Sequence, residues 1–282
     1  MELTGKVAVI TGGAGGIGLG LAEIAAQRGM KVALADVEAP ALEKAEQRLR
    51  AAGATTLAIQ TDVSSASSVG ALADRVYAEW GAVDVLCNNA GVNVIVTRAI
   101  WELSPGDWEW VIGVNQWGLI NGIQAFLPRM RAQGTAGHIL NTSSAAGVIA
   151  GPGLAAYKAS KHASLAISET LYHDLRAEDS PIGVSVFCPD VVKTGLRNAG
   201  RNRPEHLRDE RAKTPEEATA EDRLKASPGL RPEEAAEIAW KGMENGTFYI
   251  FTGDWALGAA RERVEDMEAG VPRTVTLRDV ED

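Results

Sequence analysis

The chain reads as an α/β protein, a doubly wound parallel sheet of Rossmann type, on three observations. Short apolar runs without polar alternation recur through the first 190 residues, as expected of strands covered on both faces. Amphipathic stretches separate them, giving the βαβ rhythm of a parallel sheet. A glycine-rich turn, TGGAGGIG at 11–18, stands between the first run and the first amphipathic stretch. The length of 282 residues is ample for a large core, and 45% hydrophobic with 23% charged residues is a globular composition.

Taken in order, the strand-like runs are KVAVIT (6–11), KVALAD (31–36), TTLAIQTD (55–62), VDVLCN (83–88), GHILNTS (137–143) and IGVSVFC (182–188). Helical patterns occupy 16–29, 40–52, 66–80, 105–133 and 156–178. Ligands in such a sheet bind beyond the carboxyl ends of the strands, at the point where strand order reverses. After Thr194 the rhythm breaks. A stretch rich in Arg, Glu and Pro extends to Pro232; PEEAAEIAWKGMEN then reads as a helix and TFYIFT as a last strand. Residues 1–197 carry 33 charged side chains and the much shorter 198–282 carries 32. The expected organisation is a single domain over 1–282, with 195–232 as a substrate-binding lid and 254–282 as a C-terminal extension.

Composition also excludes classes. A net charge of −9 and a pI near 5.1 repel phosphate backbones, so no nucleic-acid partner is expected. No run approaches the roughly 18 apolar residues of a membrane span and no signal-peptide core follows the start, which predicts a soluble, cytoplasmic protein without a membrane partner. Cys87 and Cys188 lie in apolar runs without metal-ligand spacing and read as buried thiols; with no HExxH among the four histidines, no metal is expected.

The turn carries the first chemistry. Gly12 permits a tight bend, Gly16 lets backbone approach a pyrophosphate, Gly18 allows close helix packing, and the following helix offers free N–H groups. Asp36 ends the second run, where a carboxylate accepts hydrogen bonds from ribose hydroxyls and repels a 2′-phosphate. No Arg or Lys lies between residues 7 and 27, nor between Asp36 and Lys44, which favours NAD over NADP. A solvated acid at a strand end is the competing reading of Asp36.

Tyr157 and Lys161 are four apart and project from one helix face, so an ammonium can stabilise a phenolate and make the tyrosine a proton carrier. Ser144, at the end of the fifth run, can donate to a substrate oxygen. Asn115 sits in an apolar helical stretch and needs a buried partner. Together these motifs resemble the short-chain dehydrogenase/reductase family: TGGAGGIG, Asp62 in TDVS, NNAG at 88–91, and Asn115, Ser144, Tyr157 and Lys161 stand in the family's order.

The resemblance implies Tyr157 as general acid/base, Lys161 as its tuner and a ribose ligand, Ser144 orienting the substrate oxygen, and Asn115 holding a water in a proton relay. It implies further cofactor contacts from Ile17, Asp62, Val63, Asn89, Ala90, Gly91, Pro189, Val192 and Thr194. The family usually has Pro-Gly where this chain has Pro189-Asp190, which restricts the backbone there and places a carboxylate near the substrate mouth. The positions that line family substrate pockets are Val94, Ile95, Ala145, Val148, Leu154, Val191 and Leu196. They are apolar, which implies a bulky hydrophobic or aromatic secondary alcohol or its ketone. The stretch from Trp110 through Met130, the NRP stretch near Pro204 and the FYIFT run with a long C-terminal helix weakly resemble the aryl Cα-alcohol dehydrogenase subgroup. The helical stretches at 105–133 and 156–178 form the expected surface of a homodimer or homotetramer. A ketone or 3-oxoacyl reductase, and a non-catalytic dinucleotide-binding protein, are the alternatives.

Overall fold

The computed structural model describes residues 3–94, 98–208, 211, 214–215, 217–219, 222 and 228–273. Its strands are β1 (Val7–Thr11), β2 (Lys31–Asp36), β3 (Thr56–Gln60), β4 (Val85–Asn88), β5 (Gly137–Thr142), β6 (Ile182–Cys188) and β7 (Tyr249–Phe251). They pair in parallel in the order β3-β2-β1-β4-β5-β6-β7. Order reverses between β1 and β4, so the carboxyl ends of those two strands open the crevice.

The unalternating runs follow from two-sided burial. In β1, Ala8 and Ile10 enter one core with Leu21, Leu34 and Trp240, while Val7 and Val9 enter the opposite core with Leu72, Leu86, Phe126 and Ile139. Neighbouring residues serve opposite faces, so every position must be apolar.

Helices α1 (Gly16–Gln27), α2 (Ala39–Ala51) and α3 (Ala66–Trp80) follow the first three strands. Ser65 starts α3 by accepting from Ser68 N, and Gly81 ends it in the left-handed region at φ 74°. The long pattern at 105–133 is α4 (Pro105–Ile112), a π-helical turn (Gly113–Trp117) and α5 (Gly118–Gln133) in succession. Ser104 and Asp107 form the capping box that starts α4. Then come α6 (Ala155–Ala177), α7 (Pro232–Glu244) and α8 (Trp255–Ala269). A Cβ on Gly20 would lie 3.0 Å from Ala236 Cβ, so a small residue lets α1 and α7 cross closely. Trp240 closes that contact by donating to Leu21 O at 3.1 Å.

Candidate active site

The floor of the crevice is a weld between two loops. Thr11 Oγ1 accepts from Asn89 N at 2.9 Å and Ala90 N at 3.1 Å and donates to Cys87 O, while Asn89 Nδ2 donates to Thr11 O. The backbones then meet so closely that only glycine fits. A Cβ on Gly12 would lie 2.9 Å from Ala90 Cα, and one on Gly18 would lie 2.0 Å from Gly12 O. Gly12 and Gly16 also have φ of 66° and 54°, in the region that glycine alone enters freely. No side chain caps α1, whose first-turn N–H groups are left for an anion. A pyrophosphate fits this cradle.

The far end of the cleft is acidic. Asp36 accepts from Ala14 N at 3.0 Å and from Glu38 N at 3.1 Å, and burial raises its pKa above the usual carboxylate value. Asp62, exposed, accepts from the backbone and hydroxyl of Ser64. Both carboxylates line one continuous cleft of about 630 Å³ that reaches Tyr157 and Lys161.

The other end of the cleft forms where β5, β6 and α6 meet. Ser144 hydrogen-bonds Tyr157, and burial raises the phenol's pKa against that bond. The expected lowering by a neighbouring ammonium is therefore opposed by desolvation. Lys161 Nζ lies 5.6 Å from the Tyr157 ring centroid and donates to Thr142 O at 2.9 Å. Burial pushes its own pKa down to about 8. Asn115, 3% exposed on the π-helical turn, donates to Val92 O and Ser160 Oγ and accepts from Val92 N at 2.7 Å. Its amide thus ties the loop after β4 to α6.

The sequence-predicted cofactor residues Gly12, Gly16, Ile17, Asp36, Asp62, Val63, Asn89, Ala90, Gly91, Pro189, Val192 and Thr194 all line the cleft. Gly18 lies beneath, closing the loop onto Gly12. Of the predicted substrate residues, Leu196 reaches the cleft wall. Val94 packs against the Val92–Trp110 cluster, Ala145 is buried after Ser144, and Val148 and Leu154 are half-buried beyond it. Val191 is exposed, and Ile95 lies outside the described residues. Leu154 stands at φ 54° just before α6, a costly conformation for a leucine beside the helix that carries Tyr157.

Asp190 has no positive φ, so the missing glycine causes no backbone strain. Its Oδ2 accepts from Thr252 Oγ1 at 3.2 Å, and its Oδ1 is buried without a partner. Cys87 and Cys188 are free and buried.

Within the stretch expected as a lid, Ala199, Arg201, Asn202 and Leu207 form part of the cleft wall, as do Trp110 and Glu38, the last of which no motif marks. Arg201 comes from far along the chain to the acidic end of the cleft, where Glu38 holds it. Only tertiary folding brings these two together.

A family model described as short chain dehydrogenase matches residues 6–205. The chain belongs to the short-chain dehydrogenase family and is an oxidoreductase. A short chain dehydrogenase/reductase from Burkholderia phymatum, solved in complex with NAD, is similar at 42% identity and a TM-score of 0.94, covering 98% of this chain and 99% of that one. A C alpha-dehydrogenase from a Sphingobium species is 39% identical over 246 residues, 87% of this chain and 79% of the relative. The 1-deoxy-11-beta-hydroxypentalenate dehydrogenase of Streptomyces exfoliatus is 33% identical over 267 residues, 95% of this chain and 90% of the relative. No helix among the described residues is long and apolar enough to cross a membrane.

Proposed function

We propose that this enzyme moves hydride between NAD and a bulky hydrophobic or aromatic secondary alcohol, or the matching ketone. The observation that carries the reading is the convergence of Ser144, Tyr157 and Lys161 on the same cleft that Gly12, Gly16 and Asp36 open. NAD fits better than NADP because Asp36 and Glu38 place two carboxylates where a 2′-phosphate would lie, and Arg201 is spent on Glu38. When bound, the nicotinamide supplies the hydride acceptor or donor.

The side chains would divide the remaining work. Tyr157 as the phenol gives its proton to a ketone oxygen, and as the phenolate takes one from an alcohol. Ser144 donates to the same substrate oxygen and fixes its position. Lys161, with its ammonium beside the phenol, favours phenolate when the proton leaves and donates to ribose. Asn115 holds the Val92 loop against α6, which keeps the tyrosine helix aligned.

Apolar Leu196 on the cleft wall supports a hydrophobic substrate, as does the similarity to a C alpha-dehydrogenase. We read 195–232 as the lid and 254–282 as an extension of one catalytic domain. The half-exposed Trp117, at the start of α5, supports a homodimer or homotetramer through the α4–α6 surface.

Turnover of a panel of aryl secondary alcohols and small polyols, each with NAD and with NADP, tests this reading. Reduction of NAD by aryl alcohols is the expected result. Turnover of polyols alone, or a preference for NADP, would overturn the substrate or the cofactor assignment respectively.

A further inference from the structure

After Thr194 the chain turns back over the cleft. Thr194 packs against the phosphate loop, where a Cβ on Gly16 would lie 3.1 Å from its side chain. From there residues 195–207 cross to both banks of the adenosine end. On one bank the Glu38 carboxylate receives three donors: Arg201 Nη2 at 2.5 Å, Arg201 Nε at 3.1 Å and Asn202 Nδ2 at 2.7 Å. On the other, Arg203 Nη1 donates to the fully buried Asp107 at 2.6 Å, its guanidinium 5.5 Å from the Trp110 ring. Ala199, buried between them, packs with Trp110 and Val92.

A lone exposed ion pair is worth little. Arg201 differs because every nitrogen of its guanidinium is engaged: Nη1 also donates to Gly195 O at 3.1 Å and Asn198 O at 2.7 Å. One side chain therefore both shapes the turn at 195–202 and fastens it to Glu38, two residues past Asp36. Glu38, Arg201 and Asn202 all line the cleft. Arg201 holds the Glu38 carboxyl below its ordinary pKa of 4.5, so the pair stays charged at neutral pH.

We propose that Glu38, Arg201 and Asn202 form a clasp that fastens residues 195–207 over the adenosine half of the bound dinucleotide, so that opening the clasp sets the rate of cofactor exchange. The proposal rests on the reading of the cleft as a dinucleotide site. The three residues are positioning residues: they act on the cofactor through the strap they hold, and the chemistry at Tyr157 lies at the other end of the cleft.

The test is stopped-flow release of NADH, followed by its fluorescence, in the wild type, Glu38→Gln, Arg201→Gln and the exchanged pair Glu38→Arg with Arg201→Glu. Each single variant should release NADH about tenfold faster. The exchanged pair should recover part of the slow release through the restored charge pair, though without the donors to Gly195 O and Asn198 O, whereas a merely structural loss would recover none. Raising salt from about 0.05 to 1 M should speed release from the wild type and leave Arg201→Gln unchanged. Equal release rates across all four proteins, or a wild-type rate indifferent to salt, would overturn the clasp while leaving the cofactor site standing. Failure of the wild type to bind NADH or NADPH would overturn both.

Discussion

Burial sets the character of single groups in this protein, and His138 shows it most simply. It lies at 5% exposure on β5, bonded to Ser185 Oγ at 2.8 Å, and desolvation pushes its pKa from 6.5 down to about 4. The folded state holds the neutral ring while the unfolded chain takes up a proton, so stability present above pH 6.5 is lost as pH falls toward 4. The shift corresponds to about 3 kcal/mol. Urea unfolding of the wild type and His138→Gln at pH 7 and pH 4.5 should show the wild type losing more stability than the variant; equal losses would count against the assignment. At this scale Asp36, Tyr157, Lys161 and Ser144 were all legible in the sequence, because each belongs to a local motif at a strand end or on one helix face. Glu38 and Arg201 were not, since no spacing links a residue after β2 to one 163 positions later.

At the scale of elements, seven strand runs and six helical patterns were legible because two-sided burial and helical periodicity leave strong marks. The π-helical turn was invisible. Residues 105–133 read as one continuous helix, yet the extra residue at Gly113–Trp117 widens the coil and carries Asn115 inward to Val92 and Ser160. Hydrophobic spacing averages over such a local change. The glycine loop was legible in type and position, though Gly18 serves a closer contact than helix packing. A Gly18→Ala methyl would strike Gly12 O and the Asn89 amide, both fixed by the weld to Thr11. Gly18→Ala should therefore cost about 1–3 kcal/mol in thermal unfolding and weaken NADH binding more than tenfold. A variant of unchanged stability and affinity would show that the loop yields.

Over the whole molecule, the charge crowded into residues 198–282 now has a structural use. Arg201 and Arg203 meet Glu38 and Asp107, and Glu217 meets the buried Arg98 at 2.5 Å, so several insertion charges fasten it to the catalytic body. The sequence showed the asymmetry but not the pairing, because ion pairs across the fold have no periodic signature. Removing one partner of a buried pair strands the other charge. Asp107→Asn should cost about 3 kcal/mol, read as a lower urea midpoint, whereas an unchanged midpoint would show that Arg203 finds another partner.

One cleft that both binds a nicotinamide dinucleotide and carries the proton on Tyr157 should respond to loss of that hydroxyl in chemistry and not in binding. NADH affinity and turnover, measured side by side for the wild type and Tyr157→Phe, test it most directly. The variant should keep its NADH affinity and lose at least about 100-fold in kcat. A Tyr157→Phe enzyme with full turnover would contradict it.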